Sequence, residues 1–183
     1  MLILIAATSL LAACATAPTH VALSPAMPKV TQQTSMSSLA LQTLDNRRTP
    51  FALRFNSDSS KMKTYNPSES PSIQLDQVFR QGFAQAGYQI DPGATNNVEL
   101  QLTELLTDVT ENTFGYEANT KIVIDVIAKN SSQTLNKQYS AKGLLKGPLS
   151  PDFATLELDI NKLLGEISGS IINDPELNQF LQH

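Results

Sequence analysis

Apolar and polar positions along the chain divide it into short alternating stretches and two long helical stripes. Leu39-Ala-Leu41-Gln-Thr43 alternates and predicts a strand, and Asp45-Asn46-Arg47-Arg48 follows as a polar turn. Phe51, Leu53 and Phe55 then share one face of a second strand. Residues 56–70, crowded with Ser, Asp, Lys and Asn, predict a long loop in which Tyr65 is an isolated packing residue. Ser70 and Pro71 open a helix as cap and first helical residue. Leu75, Val78, Phe79, Gly82, Phe83 and Ala86 form its apolar face, and Gly87 ends it in the left-handed conformation glycine tolerates best. Tyr88-Gln-Ile90 leaves as a short strand, and Asp91-Pro92-Gly93 turns.

Val98-Glu-Leu100-Gln-Leu102 alternates strictly and continues through Leu105 to Val109. The Lys121–Ala128 stretch is nearly all apolar and β-branched, as a central strand with both faces at least partly covered would be. Gln138 to Gly143 alternates again. With residues 110–120 and 130–133 as connections, these three runs suit an antiparallel meander. Ser150 and Pro151 predict the start of a helix whose stripe is Phe153, Leu156, Ile160, Leu163, Leu164, Ile167 and Ile171, and Asp174-Pro175 restarts a short terminal helix. Two one-faced helices need one sheet face to bury them. The expected fold is α+β: an antiparallel sheet of about four to six strands, with two amphipathic helices on one face and the other face solvated or open to a partner.

The N-terminus has a different grammar. Thirteen residues, nearly all apolar, precede Cys14, too few for a membrane-spanning helix of about 20. A run closing on small residues is signal-peptide grammar, and Leu11-Ala12-Ala13-Cys14 resembles the lipobox of bacterial lipoproteins. The resemblance implies cleavage before Cys14, a diacylglycerol on its sulfur, and acylation of the new N-terminus, palmitate being the acyl group expected. No positively charged segment precedes the run, so the true start codon is expected upstream. Ala15 replaces the Asp that retains such proteins in the inner membrane, which implies an outer-membrane anchor on the periplasmic face. The expected division is a signal peptide over 1–13, the acylated cysteine and a flexible tether over 14–35, and a single domain over 36–183. Pro18, Pro25 and Pro28 break regular structure in the tether, although Val21, Leu23 and Val30 offer packing groups. A flexible coil of that length spans on the order of 25 Å.

Composition narrows the chemistry. The chain is 41% hydrophobic and 16% charged with net charge −4, giving no electrostatic reason to seek nucleic acid. With Cys14 acylated, no thiol remains for a disulfide. The two histidines, His20 in the tether and His183 at the end, are poorly placed for a catalytic triad or a metal site. Gly143-Leu-Leu-Lys146-Gly147 lacks the spacing of a phosphate loop. Asp108, Glu111 and Glu117 fit no calcium-loop spacing and suit a solvated hairpin tip better. Asp125, inside the most apolar strand, needs a partner, with Lys121, Lys129 or Lys142 in reach. The Asp45, Arg47, Arg48 cluster is a candidate contact for a partner or ligand: an arginine fork can clamp a carboxylate or phosphate, or the group can simply solvate its own turn. No catalytic residue, metal or cofactor is expected.

In order, the lipobox, the Pro-rich tether, Asp45-Asn46-Arg47-Arg48, Leu75 through Tyr88, Val98–Leu102, Lys121–Ala128 and the late Asp174-Pro175-Glu176-Leu177 segment resemble the YajG-like lipoproteins of Gram-negative bacteria. The resemblance carries localisation rather than activity, and no site residue transfers with it. Two functions follow: a binding or scaffold lipoprotein presenting a sheet face or edge to an envelope protein, or a binder or enzyme for a small cell-wall or lipid fragment. An uncovered edge strand leaves a homo-oligomer open.

Overall fold

The computed structural model describes residues 18–32, 37–57 and 60–182. Its centre is an antiparallel meander of three long strands: β6 (Asn97–Asn112), β7 (Gly115–Lys129) and β8 (Thr134–Gly147). β6 and β7 pair from Asn97↔Lys129 to Asn112↔Gly115, and β7 and β8 from Tyr116↔Gly147 to Lys129↔Thr134. The strands therefore run through residues 110–112 and 115–120, which the sequence had suggested as a connection. The turn is only Thr113-Phe114, closed by Asn112 Oδ1 accepting from the Phe114 and Gly115 amides at 2.9 and 3.1 Å.

The other edge of β6 carries two strands end to end. β2 (Ser38–Asp45) pairs in parallel with 97–102, and β3 (Leu53–Ser57) pairs in parallel with 107–111. β4 (Ser60–Pro67) runs antiparallel to β3, while β1 (His20–Val21) and β5 (Gln89–Ile90) add short parallel pairs to β4 and β2. The sheet is thus eight-stranded and mixed, not an antiparallel sheet of four to six strands. The difference has two causes. A crossover through β3, β4 and a helix separates β2 from β6, which permits parallel pairing. The sequence of β4 predicts a loop because Lys61 to Thr64 are all exposed, and an exposed strand needs no apolar alternation.

Between Leu102 and Glu104 the β6–β7 register shifts. Buried positions move from Val98, Leu100 and Leu102 to Leu105, Thr107 and Val109. A one-residue bulge at Thr103 keeps both halves of a long strand facing one core; without it the second half would turn inside out.

α1 (Pro71–Gln85) buries Leu75, Val78, Phe79, Gly82 and Phe83, and Gly87 follows at φ 105°. A Cβ on Gly82 would overlap the Ile172 side chain, so glycine lets α1 close on α2 (Phe153–Ile172). Asp152, not Ser150, caps α2: its carboxylate accepts from Thr155 N at 3.2 Å. Asp174 caps α3 (Pro175–Leu181) through Leu177 N at 2.9 Å. One core joins the helices to alternate residues of the strands, including Phe79, Phe83, Leu100, Ile122, Ile124, Ile160 and Ile171.

Residues 18–32, expected within a flexible tether, are a docked strap, so that expectation is corrected over this span. Val21 and Leu23 are buried in the core. Ala22 N donates to Glu157 at 2.6 Å, Ser24 N to Asn161 at 2.7 Å and Thr31 N to Asn173 at 2.8 Å, all on α2 or its cap. Asn161 and Asn173 return bonds to the Ala22 and Lys29 carbonyls, both at 2.9 Å. Prolines suit this extended path, and side-chain amides on the helix stand in for a missing strand neighbour. The proposed signal peptide, Cys14 and residues 33–36 lie outside the described residues, as does His183.

Candidate functional site

The strand residues of opposite phase face away from the core and build the candidate site. On β6 they are Glu99, Gln101, Glu104, Leu106 and Asp108; on β7, Lys121, Val123, Asp125 and Ile127; on β8, Gln138, Lys142 and Leu144. Most are half-buried or exposed. Val123, only 8% exposed, stands outside the core cluster and floors this second face.

At the middle of the face the sheet has a fork. β2 leaves the edge of β6 after Asp45 and β3 rejoins it at Leu53, so residues 46–52 arch past the bulged stretch of β6. The gap forms a half-open cleft of about 740 Å³, lined by Arg47, Arg48, Thr103, Glu104, Lys121 and Gln138 among others. The sequence-level cluster is thereby divided. Arg47 is nearly buried, at 6% side-chain exposure. Its fork is already filled, since Nε and Nη2 bond both Asp45 oxygens at 2.8 and 2.9 Å and Nη1 reaches the Phe51 carbonyl at 3.4 Å. These two residues pin the arch to the end of β2. Arg48 stays exposed on the cleft rim and makes no ion pair among the described residues.

The remaining charges are held in the plane of the sheet. Lys121 pairs with Glu104 at 2.6 Å. Asp125 accepts from Gln138 Nε2 at 2.7 Å, so its partner is an amide on the neighbouring strand rather than one of the three lysines expected. A half-buried carboxylate on an open face needs a hydrogen bond more than a counter-ion. Nearer the β6–β7 turn, Arg54 and Asn56 both bond Asp108. The Arg54 guanidinium holds the Asp108 carboxyl below its ordinary value, and Asp108 in turn raises Arg54. Glu117 is lowered by its bonds from Lys146 and Asn119.

This chemistry suits recognition. It offers one uncommitted guanidinium, amide and hydroxyl groups, and ion pairs able to exchange partners. Among the described residues no group of three or more His, Cys, Asp or Glu is placed to hold a metal ion. The one described histidine, His20, is exposed and contacts Thr19 at 3.0 Å. Sequence reasoning missed Thr103, Glu104, Lys121 and Gln138 as cleft residues. The signal was present as the change of apolar phase between Leu102 and Leu105, which marks a bulge.

The chain belongs to the lipoprotein family described as "Uncharacterized lipoprotein", whose family model matches residues 25–182. It is 22% identical over 175 residues to the lipoprotein YajG of Escherichia coli K12, covering 94% of this chain and 91% of that protein, and equally similar to its counterpart in E. coli O6:H1. Protein XCC0632 of Xanthomonas campestris shares the fold, with TM-score 0.57, 11% identity, and coverage of 85% and 93% of the two chains. A further solved structure of an uncharacterized protein aligns at TM-score 0.50 and 8% identity, covering 84% of this chain and 97% of that one. No helix among the described residues is long and apolar enough to cross a membrane.

Proposed function

We propose that this protein is a non-enzymatic binding or scaffold lipoprotein, anchored through acylated Cys14 at the periplasmic face of the outer membrane. It presents the second face of its sheet to an envelope protein. The observation that carries this reading is the uneven covering of the sheet. Three helices and the strap serve one core, while the opposite face of three strands, each 14 to 16 residues long, keeps half-buried polar and apolar groups around a cleft. Mixed polar and apolar groups of this kind are what a non-obligate interface uses. The edge of β8, bonded among the described residues only to β7, extends the same surface and also offers a route to a homo-oligomer.

Crosslinking in intact cells, followed by mass spectrometry of the purified lipoprotein, tests the reading, with Cys14→Ser as the unanchored control. One dominant envelope partner, lost in the control, supports it. Crosslinks to its own copies alone would replace it with a homo-oligomer.

A second reading rests on the cleft itself. Its volume of about 740 Å³ falls in the range of small-molecule sites, and the free Arg48 on its rim suits an acidic cell-wall or lipid fragment. Thermal-shift screening of anionic fragments against wild type and Arg48→Ala separates the two. A ligand whose stabilisation disappears in the variant would favour the small-molecule reading.

A further inference from the structure

Two large apolar side chains are far more exposed than a folded domain requires: Phe114 at 91% and Leu149 at 81%, the highest among the large hydrophobics of the described residues. Phe114 occupies the β6–β7 turn, and Leu149 follows the end of β8. Because Tyr116 pairs with Gly147, both turns lie at the same end of the sheet, with Pro148 beside the Phe114 turn. Leu149 also sits at φ 62°, a left-handed conformation leucine adopts only at a cost of about 1 kcal/mol. An apolar residue held exposed in a strained turn suggests a role for that position.

The strap shows what this end faces. β1 is parallel to β4, with His20 opposite Asn66. β4 is antiparallel to β3, and β3 is parallel to β6, with Ser57 opposite Glu111. Traced backward from His20, the chain therefore heads toward the end that carries Phe114 and Leu149. The described residues begin at Pro18, four residues after Cys14, and four residues reach at most about 14 Å. Docking of the strap thus leaves few residues between Cys14 and the domain, and the described start of the strap lies on the side of the apolar end. Lys61 and Lys63, near the same end on β4, make no ion pair among the described residues and can meet headgroup phosphates.

We propose that the turn end of the domain, through Phe114 and Leu149, rests on the lipid surface that the Cys14 acyl chains enter, so that the long strands stand upright on the membrane and the second sheet face looks sideways. This rests on the proposed acylation of Cys14. An aromatic and an aliphatic side chain at the headgroup boundary are a common interfacial contact.

The chain contains no Trp, so one introduced indole reports alone. The mature acylated protein carrying Phe114→Trp is reconstituted into phosphatidylethanolamine–phosphatidylglycerol vesicles containing brominated lipid. Leu149→Trp serves as a second reporter and Ser131→Trp, in the turn at the opposite end of β7, as control. Intact mass establishes acylation before the fluorescence is read. The proposal predicts a blue shift and loss of emission at positions 114 and 149, with position 131 unquenched. Acylated protein with all three positions unquenched, or all three quenched alike, overturns it. A blue shift at 114 without quenching by lipid also overturns it, since a protein or a second copy would then cover the tip. An unacylated Cys14 removes the anchor reading, and this inference with it.

Discussion

Asp174 accepts hydrogen bonds from three different residues, and replacing it separates three energetic contributions. One oxygen caps α3 through Leu177 N at 2.9 Å. The other takes the Lys137 ammonium at 2.7 Å and the Tyr139 hydroxyl at 2.9 Å. Side-chain exposure is 14% for Asp174 and 23% for Lys137, so the pair is only partly screened. Lys137 keeps Glu176, also at 2.7 Å, which limits the loss. Removing the cap costs about 1 kcal/mol, leaving the Tyr139 hydroxyl without its acceptor about 1 kcal/mol, and weakening the ion pair about 1 kcal/mol. Asp174→Ala is therefore expected to lose about 3 kcal/mol, or roughly 6 to 12 °C in Tm for a domain of this size. Asp174→Asn keeps the cap with its single amide oxygen but turns an NH2 toward Lys137 and Tyr139, so it loses the charge and the Tyr139 acceptor, at about 2 kcal/mol. The charge contribution has a definite pH dependence. Burial alone would raise the Asp174 carboxyl, but Lys137, the Leu177 amide and Tyr139 outweigh it and hold the carboxyl below its ordinary value. A folded value below the unfolded one, near 3.9, gives stability that is present at neutral pH and lost as pH falls through the folded value. Urea denaturation followed by circular dichroism at pH 7 and pH 3, in the soluble Cys14→Ser background, reads both effects. The gap between wild type and Asp174→Asn, like the larger gap to Asp174→Ala, should narrow from pH 7 to pH 3 as the wild-type carboxylate begins to protonate. Equal stability of wild type and Asp174→Asn at both pH values would refute the argument.

The strap has a sharp test in Gly165→Ala: in an open helix this change stabilises by about 1 kcal/mol, but here the new Cβ would stand 2.9 Å from the Ala26 carbonyl oxygen. A net loss of stability, with faster exchange of the Ala22 and Ser24 amides by NMR, is expected, and a gain of about 1 kcal/mol would mean an undocked strap. Deleting Thr103 removes the extra residue and leaves Leu102 and Leu105 in strict alternation opposite Ile124 and Ile122, so both halves of β6 should keep their core face and the variant should still unfold cooperatively in denaturant; loss of the cooperative transition would contradict the register. Carboxyl titration by NMR should place Asp108 below its ordinary value and return it toward that value in Arg54→Met, because the Arg54 bonds are the main cause of the shift. Burial should likewise hold the Tyr88 hydroxyl, which donates to Asn178 at 2.8 Å, up at about 12. A folded value above the unfolded one near 10 stabilises below pH 10 and is lost as pH rises through 12, which alkaline ultraviolet titration would show.

Elements that bury one clean face were legible in the sequence. The stripes of α1 and α2, the alternation of β2 and the apolar run of β7 each announce a side that must leave water, and position 87 announces a left-handed turn. The N-terminal capping residue of α2 was misplaced by two positions because Ser150-Pro151 and Asp152 offer competing starts, and the structure uses Asp152. Elements stabilised by partners distant in sequence were not legible. β4 carries exposed Lys and Thr, and the strap is held by side-chain amides of Asn161 and Asn173 some 140 positions away, which no local periodicity records. Parallel pairing of β2 and β3 on one edge of β6 is likewise a property of the crossover rather than of either strand. At the candidate site, the Asp45–Arg48 cluster was visible as charge in a turn. Its division into a closed Asp45–Arg47 pair and a free Arg48 depends on where the arch crosses β6, as does the meeting of Thr103, Lys121 and Gln138 beneath it.

The central claim is that the uncovered sheet face receives an envelope partner while the helix face does not. The most direct measurement places a photo-crosslinking amino acid at Gln138, on that face, and separately at Lys162, exposed on α2, in the acylated protein in intact cells. The account predicts a discrete protein adduct from position 138 and none from position 162. Adducts from position 162 alone, or from neither position, would contradict it.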